Sequence, residues 1–292
     1  MNTNDHQTGL ARRGRPVLNS LFALLFVLAL CPAGGLHAAD KGTVITIGGT
    51  GCALGGMKEA ARAFQQKYPE IKFRFAPSLG SSGGIKAVLA GALDLALSVR
   101  PVSDDERKQG ASSVEYARTP FIFVTSHKGK TWDLTLEQLV SIYIGETKAW
   151  PDGAPLRLIL RPAGDADTAY LKAMSPAMDT AVLAALSREG MVTTVTDQET
   201  ADAISRIRGG FGALTLTQLV AERRPLTPLR LNGIAPSLRT LADGSYPYYK
   251  TLSTVTGPKT GKEAQAFIRF INSPEGRSVL TRTGSLPAPG KE

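Results

Sequence analysis

Cysteine is nearly missing from this chain, where Cys31 and Cys52 are the only two among 292 residues. No cysteine cluster exists to hold a metal, and no disulfide framework can be built. Histidine is equally scarce, with three in all. The last of them, His127, sits between Ser126 and Lys128 with no acid or nucleophile pattern beside it, and reads as a solvated loop residue. A Walker loop and an HExxH pair are both missing, and Asp104, Asp105 and Glu106 look like a solvated helix start rather than a catalytic pair. Aromatic residues make up 7% of the chain and basic residues are scattered along it, so the basic stripe with aromatic platforms that nucleic-acid binding requires is not there. No apolar run approaches the roughly 20 residues that span a bilayer. Enzyme, metalloprotein, nucleic-acid and membrane-spanning readings therefore have little to stand on, and no cofactor is expected.

What is present begins with a targeting signal. Arg12, Arg13 and Arg15 precede an apolar run from Leu21 to Leu30, which breaks at Pro32 and Gly34-Gly35 before Ala38-Ala39. That order marks residues 1–38 as a secretory signal peptide and sends the mature chain to the periplasm. Cys31 raises lipidation as an alternative, but the preceding Leu28-Ala29-Leu30 puts a bulky Leu where a small residue is expected. After cleavage Cys52 is alone, a small buried residue in a fold that relies on its core. The formal net charge of +9 suits an anionic ligand without specifying one.

Strand and helix signals then alternate. Thr43 to Ile47 alternates as a strand, Gly48 to Gly51 is a glycine turn, and Gly55 to Tyr68 is helical up to Pro69. Ile71 to Ala76 reads as a strand, Leu79 to Gly84 as a Gly/Ser turn, Ile85 to Ala92 as a helix and Leu93 to Ser98 as a buried strand. Such a series implies a parallel sheet with ligand loops at the carboxyl ends of its strands. Later helices are expected at Leu134 to Tyr143 with Thr135 as cap, near Ala169 to Met174, Met178 to Arg188, Glu199 to Ile207, Gly261 to Ile271 and Pro274 to Thr281. The tail from Pro287 to Glu292 is expected to be disordered.

Three donor-rich loops follow strands in this pattern. One is Gly48-Gly49-Thr50-Gly51-Cys52, the second is Leu79-Gly80-Ser81-Ser82-Gly83-Gly84, and the third runs from Arg161 through Gly164, Asp165 and Asp167 to Thr168. Helix starts carry unpaired N–H donors and partial positive charge, which suits phosphate-like groups. Arg161 adds a cation with a bidentate fork.

With those loops in place, the chain resembles the phosphate-binding branch of the periplasmic substrate-binding proteins of ABC importers. The resemblance runs through Gly80-Ser81-Ser82-Gly83-Gly84-Ile85-Lys86, Leu93-Asp94-Leu95-Ala96-Leu97-Ser98, Pro101-Val102-Ser103-Asp104-Asp105-Glu106 and Leu134-Thr135-Leu136-Glu137-Gln138-Leu139. It continues through Arg161, Thr200-Ala201-Asp202-Ala203-Ile204, Gly233-Ile234-Ala235-Pro236, Ala242-Asp243-Gly244-Ser245-Tyr246-Pro247 and Ser273-Pro274-Glu275-Gly276.

The resemblance implies an α/β fold of two lobes, each a mixed, mainly parallel sheet flanked by helices, joined by two crossing strands near Arg118 to Phe121 and Tyr246 to Thr251. Lobe 1 would hold residues 39–119 and 248–288, an inserted lobe 2 residues 120–247, and a tail residues 289–292. An inorganic oxyanion, phosphate first and molybdate, tungstate or sulfate as alternatives, would sit between the lobes of a monomer and pass to an inner-membrane ABC permease. A sensor or secretion-linked accessory role on the same fold is the other reading. The implied ligand set is Thr50, Gly51, Cys52, Ser81, Ser82, Gly83, Arg100, Arg161, Asp165, Asp167 and Thr168.

Two departures from the family pattern stand out. Ser98-Val99-Arg100 replaces the usual Ser-Asp, removing a carboxylate that accepts a proton from phosphate. Gly164-Asp165-Ala166-Asp167 replaces Gly-Ser-Gly-Thr, so either Asp165 or Asp167 substitutes for the missing acceptor or the segment is a surface loop capped by Asp, and Arg100 is either a second cation of the site or a solvent-facing residue.

Overall fold

The computed structural model describes residues 43–129 and 133–289. The signal peptide expected at 1–38, with Cys31, and residues 290–292 of the tail lie outside them. The first elements are β1 (Val44–Gly49), α1 (Gly51–Lys67), β2 (Lys72–Ser78), α2 (Gly80–Ala90), β3 (Leu95–Ser98) and α3 (Asp104–Lys108). The long strand β4 (Ser112–Thr125) comes next, then β5 (Asp133–Leu134), α4 (Leu136–Ile144), β6 (Arg157–Leu160), α5 (Ala166–Ala173), α6 (Pro176–Ser187) and β7 (Val192–Thr193). They are followed by α7 (Asp197–Arg206), β8 (Gly210–Thr215), α8 (Leu216–Ala221), β9 (Thr227–Pro228), β10 (Arg230–Leu231) and α9 (Leu238–Ala242). The chain closes with β11 (Tyr249–Thr256), α10 (Lys262–Asn272), α11 (Pro274–Arg282) and β12 (Leu286–Pro287).

One sheet path joins these strands in the order β2-β1-β3-β11-β4-β8-β6-β7. Its two ends are parallel: β1 pairs with β2 and β3, and β6 with β7 and β8. Its middle is antiparallel, because β11 runs against both β3 and β4, and β4 against β8. β4 is shared by the two halves. Its residues 112–120 pair with β11, and from Phe121 onward it pairs with β8.

The cores divide at the same place. Ile45, Ile47, Phe64, Leu95, Tyr116, Leu252, Phe267 and Phe270 form one cluster, while Phe121, Phe123, Tyr143, Trp150, Phe211 and Tyr246 form another. In α10 the buried positions Ala264, Phe267, Phe270 and Ile271 recur at helical spacing, and Phe267 and Phe270 each approach the Phe64 ring at 5.3 Å, an arrangement worth about 0.5–1.5 kcal/mol per pair beyond burial. Capping boxes at Ser103/Glu106, Thr135/Gln138 and Thr196/Glu199 fix the starts of α3, α4 and α7. The two halves also meet at α1, where a Cβ on Gly55 would lie 3.1 Å from Cβ of Ala221 at the end of α8.

Three sequence expectations change. Gly80 to Gly84 is the first turn and a half of α2 rather than a turn before it. Gly84 serves close packing, since a Cβ on it would lie 2.6 Å from Cα of Gly49, so α2 can press onto β1 only without a side chain there. The tail is ordered further than expected, with Leu286 and Pro287 pairing with β4 and Ala288 N–H donating to the Tyr116 carbonyl. His127 is not a solvated loop residue: its ring stacks on Trp150 at 5.3 Å, and Nε2 lies 2.8 Å from Asp152 Oδ2. Among the described residues no helix is long and apolar enough to cross a membrane.

Candidate functional site

Four helices begin on one cavity of about 560 Å³. Its wall includes the N-cap residues Thr50, Leu79, Asp165 and Thr196, which start α1, α2, α5 and α7. β1, β2 and β6 deliver α1, α2 and α5 to this point from their carboxyl ends. Each helix start contributes unpaired backbone donors and up to about half a positive charge. Converged on one space, they make it receptive to an anion without spending any side-chain charge.

Two buried cations support this floor. Arg161 extends from the end of β6 and donates to Asp165 Oδ2 at 2.7 Å and to the Thr194 carbonyl at 3.3 Å. It is only 8% exposed, and its Nε is a buried donor without an acceptor among the described residues. Burial alone would pull its pKa down, but Asp197, Asp165 and Asp167 outweigh that and hold it above the ordinary value. Lys250, on β11, is 3% exposed. It pairs with Asp167 and lies 4.9 Å from the centroid of the Phe121 ring. Burial opposes its charge, yet Asp167, Cys52 and Asp197 more than compensate, so its pKa is raised.

Asp197, the first residue of α7, is the exception to this pairing. Arg161 Nη2 approaches its Oδ2 only to 4.0 Å, and no hydrogen bond reaches its carboxylate among the described residues. Burial, reinforced by the Asp167 charge, pushes its pKa up from 3.8 to about 6. A carboxylate whose folded pKa is raised contributes stability below its unfolded pKa, and that contribution is lost as pH climbs through the folded value. Asp197→Asn is therefore expected to stabilise the ligand-free protein at pH 7.5 by on the order of 2 kcal/mol, with no gain at pH 4. Urea unfolding of both proteins at the two pH values checks this, and equal midpoints at pH 7.5 would show that the carboxylate is relieved by its surroundings.

The sequence-derived residues divide into wall and support. Thr50, Ser81, Ser82, Arg100, Arg161, Asp165 and Asp167 line the cavity. Ser81 Oγ accepts from the Val99 N–H at 3.0 Å, which ties α2 to the end of β3. Arg100 is already engaged, donating to Ser82 Oγ at 3.0 Å and to both carboxylate oxygens of Glu106 at 2.9 and 2.6 Å. That contact with Arg100 holds the Glu106 pKa down at about 2. Asp165 caps α5 by accepting from the Asp167 N–H at 2.8 Å.

The remaining four are off the wall. Gly51 is buried at the start of α1, where a Cβ would lie 2.6 Å from Asp197 Oδ2. Cys52 packs into the first core cluster, and burial, then Asp197, raise its thiol pKa to about 12, which leaves it an unreactive neutral thiol. Gly83 lies within α2. Thr168 is buried and donates to the Arg161 carbonyl at 3.2 Å, so it braces the arginine from behind.

Asp197 and Lys250 are the site residues that sequence reasoning passed over. The Thr196-Asp197-Gln198-Glu199 capping pattern was a usable signal for the first. Lys250 had none, since its partner Asp167 is 83 residues away.

Comparison with known proteins agrees with this architecture. The chain is 24% identical over 278 residues to the phosphate-binding protein PstS of Borreliella burgdorferi, covering 92% of this chain and 99% of that one. A PstS from Staphylococcus saprophyticus is 23% identical over 276 residues, covering 87% and 83% respectively. Among solved structures, a Clostridium perfringens protein described as a phosphate ABC transporter substrate-binding protein, with phosphate bound, superposes with a TM-score of 0.70 at 19% identity, covering 84% of this chain and all of that one. An ABC-type phosphate transport receptor from Vibrio cholerae gives 0.57 at 17% identity, covering 83% and 99%. A family model for the PBP superfamily domain matches residues 36–275, and the chain, a two-lobed α/β protein built around a cavity at four helix starts, belongs to that superfamily.

Proposed function

We propose that this protein is a periplasmic solute-binding protein that captures phosphate in the cavity between its lobes and delivers it to an ABC permease. The observation that carries the reading is the convergence of four helix N-termini on one cavity beside Arg161, whose buried Nε has no acceptor among the described residues. Its relatives support the ligand, being named as phosphate-binding proteins. Residues 39–119 and 248–288 make lobe 1 and residues 120–247 lobe 2, a division supported by the separation of the two core clusters at the middle of β4. Binding replaces the anion's hydration shell with helix-start N–H groups, the hydroxyls of Thr50 and Ser82, and the Arg161 guanidinium, and draws the lobes together about β4 and β11.

Calorimetric titration of ligand-stripped protein with phosphate, molybdate and tungstate tests this. Saturable 1:1 binding of phosphate at micromolar concentration or below is the expected result. Tighter binding of molybdate or tungstate would reassign the ligand, and silence from all three would shift the reading to a sensor or accessory role on the same fold.

A further inference from the structure

Part of the contact between the two proposed lobes is made by protein groups that do not face the anion. Helix α1 belongs to lobe 1, and α7 and α8 belong to lobe 2. Gln198, the second residue of α7, bridges them. Its side-chain amide donates to the Gly51 carbonyl at the start of α1 at 3.0 Å and to Glu222 Oε1, just past α8, at 2.7 Å. Both partners are acceptors, so an NH2 group serves them together where a carboxylate of the same size cannot. Glu222 is fixed in turn, because Arg224 Nε donates to its other oxygen at 2.7 Å and Arg224 also pairs with Asp202 on α7. The buried Gln218 of α8 donates to the Asp197 carbonyl at 2.9 Å. Helices α7 and α8 therefore present Gln198 as one unit.

Helix α1 is shaped to receive it. A Cβ on Gly51 would lie 2.6 Å from Gln198 Oε1, and a Cβ on Gly55, one turn later, 3.0 Å from Glu222 Cγ. Two successive turns of bare backbone thus admit the other lobe. Gln198 is not on the wall of the cavity at the helix starts. It lines a neighbouring groove of about 670 Å³ together with Lys58 and Phe75 of lobe 1 and Glu199 and Arg224 of lobe 2, through which water reaches the contact and lets it break and re-form. At α2 the bonding stays within lobe 1: Ser81 accepts from the Val99 N–H, Ser82 from Arg100, and Arg100 donates to Glu106.

We propose that Gln198 is a positioning residue for anion capture: it latches the starts of α1 and α7 together across the lobes with no help from the ligand, and leaves the start of α2 to be drawn in by the anion. This rests on the two-lobe binding reading above and goes beyond it. A ligand's apparent affinity scales with the fraction of molecules already in the competent arrangement, and one hydrogen bond of ordinary net strength changes a two-state ratio severalfold.

The test measures the distance between nitroxide labels on Lys108→Cys in lobe 1 and Ser187→Cys in lobe 2, both exposed positions, by pulsed electron resonance with and without inorganic phosphate. The chain starting at residue 39 is used, in which the native Cys52 is buried and does not compete for label. Ligand-stripped Gln198→Ala is expected to shift towards longer distances than the ligand-stripped parent and to return to the parent's distance once saturated with phosphate, with affinity by calorimetry lowered about fivefold. Gln198→Glu, nearly the same size, sets a carboxylate against Glu222 and the Gly51 carbonyl and is expected to open further than Gln198→Ala. A cooperative thermal melt confirms that each variant is folded. Ligand-free distances and phosphate affinities equal to the parent's in both variants overturn the latch, as does a lowered melting temperature with distances unchanged. Absence of phosphate binding by the parent overturns the phosphate reading alone, and the ligand-free distances of the parent and the two variants then decide the latch.

Discussion

Arg161→Ala is expected to weaken phosphate binding by more than 100-fold and to destabilise the ligand-free protein by about 3 kcal/mol. The loss of affinity follows from removing the one guanidinium on the cavity wall, among the described residues, not already engaged by both oxygens of a carboxylate, because a bidentate, charge-assisted contact cannot be replaced by N–H groups alone. The loss of stability has a separate origin. Without Arg161, Asp165 loses its 2.7 Å partner and Asp197 its nearest cation, and breaking a buried pair from one side leaves an uncompensated charge, a cost of about 3–5 kcal/mol for full burial and less for the half-buried Asp165. Arg161→Lys separates the two effects. It is expected to regain most of the stability, since the charge remains, and little of the affinity, since the fork is gone. Urea unfolding and calorimetry on the same samples read both quantities, and wild-type affinity in Arg161→Ala would reduce the arginine to a tether for α5.

Lys250→Met is expected to cost about 3–5 kcal/mol at pH 7, the larger of the two stability effects. Lys250 and Asp167 are both buried, so removing the ammonium strands Asp167 in the same low-dielectric space as Asp197. The pair joins β11 to α5, elements from the two proposed lobes. A double variant, Lys250→Met with Asp167→Leu, is expected to recover most of the loss, because a buried pair exchanged for apolar groups of similar volume is often neutral or stabilising. Urea unfolding of both single variants and the double variant provides the cycle. Additive effects would mean that the two side chains do not act as a pair.

Much of the architecture was legible because it rests on local rules. Thr135 and Gln138 announce the start of α4, and strand–glycine–helix succession announces the parallel ends of the sheet. Of the candidate site, Thr50, Ser81, Arg161 and the two aspartates of the third loop could be read for the same reason: strands deliver their carboxyl ends to a common side. What could not be read depends on distance along the chain. His127 finds Asp152, and Lys250 finds Asp167, only through folding. The glycines from Gly80 to Gly84 looked like a turn because glycine usually marks one, but the close approach of α2 to β1 asks for the same residue inside a helix. The two-residue strands β5, β9, β10 and β12 are too short to carry any periodic signal.

The position of β11 has a bearing on how the molecule comes to be made. It fills the gap between β3 and β4, so the sheet of the first half is closed by a segment that arrives long after its neighbours, with Thr254 Oγ1 donating to the Val114 carbonyl across 140 residues of sequence. Sheets completed by such distant partners assemble slowly, since loop-closure entropy must be overcome before any pairing rewards it. A partly synthesised chain therefore lacks the central strand of its own sheet. Such a chain stays threadable for as long as its C-terminal segment is withheld, and zips shut in one late step once that segment is present.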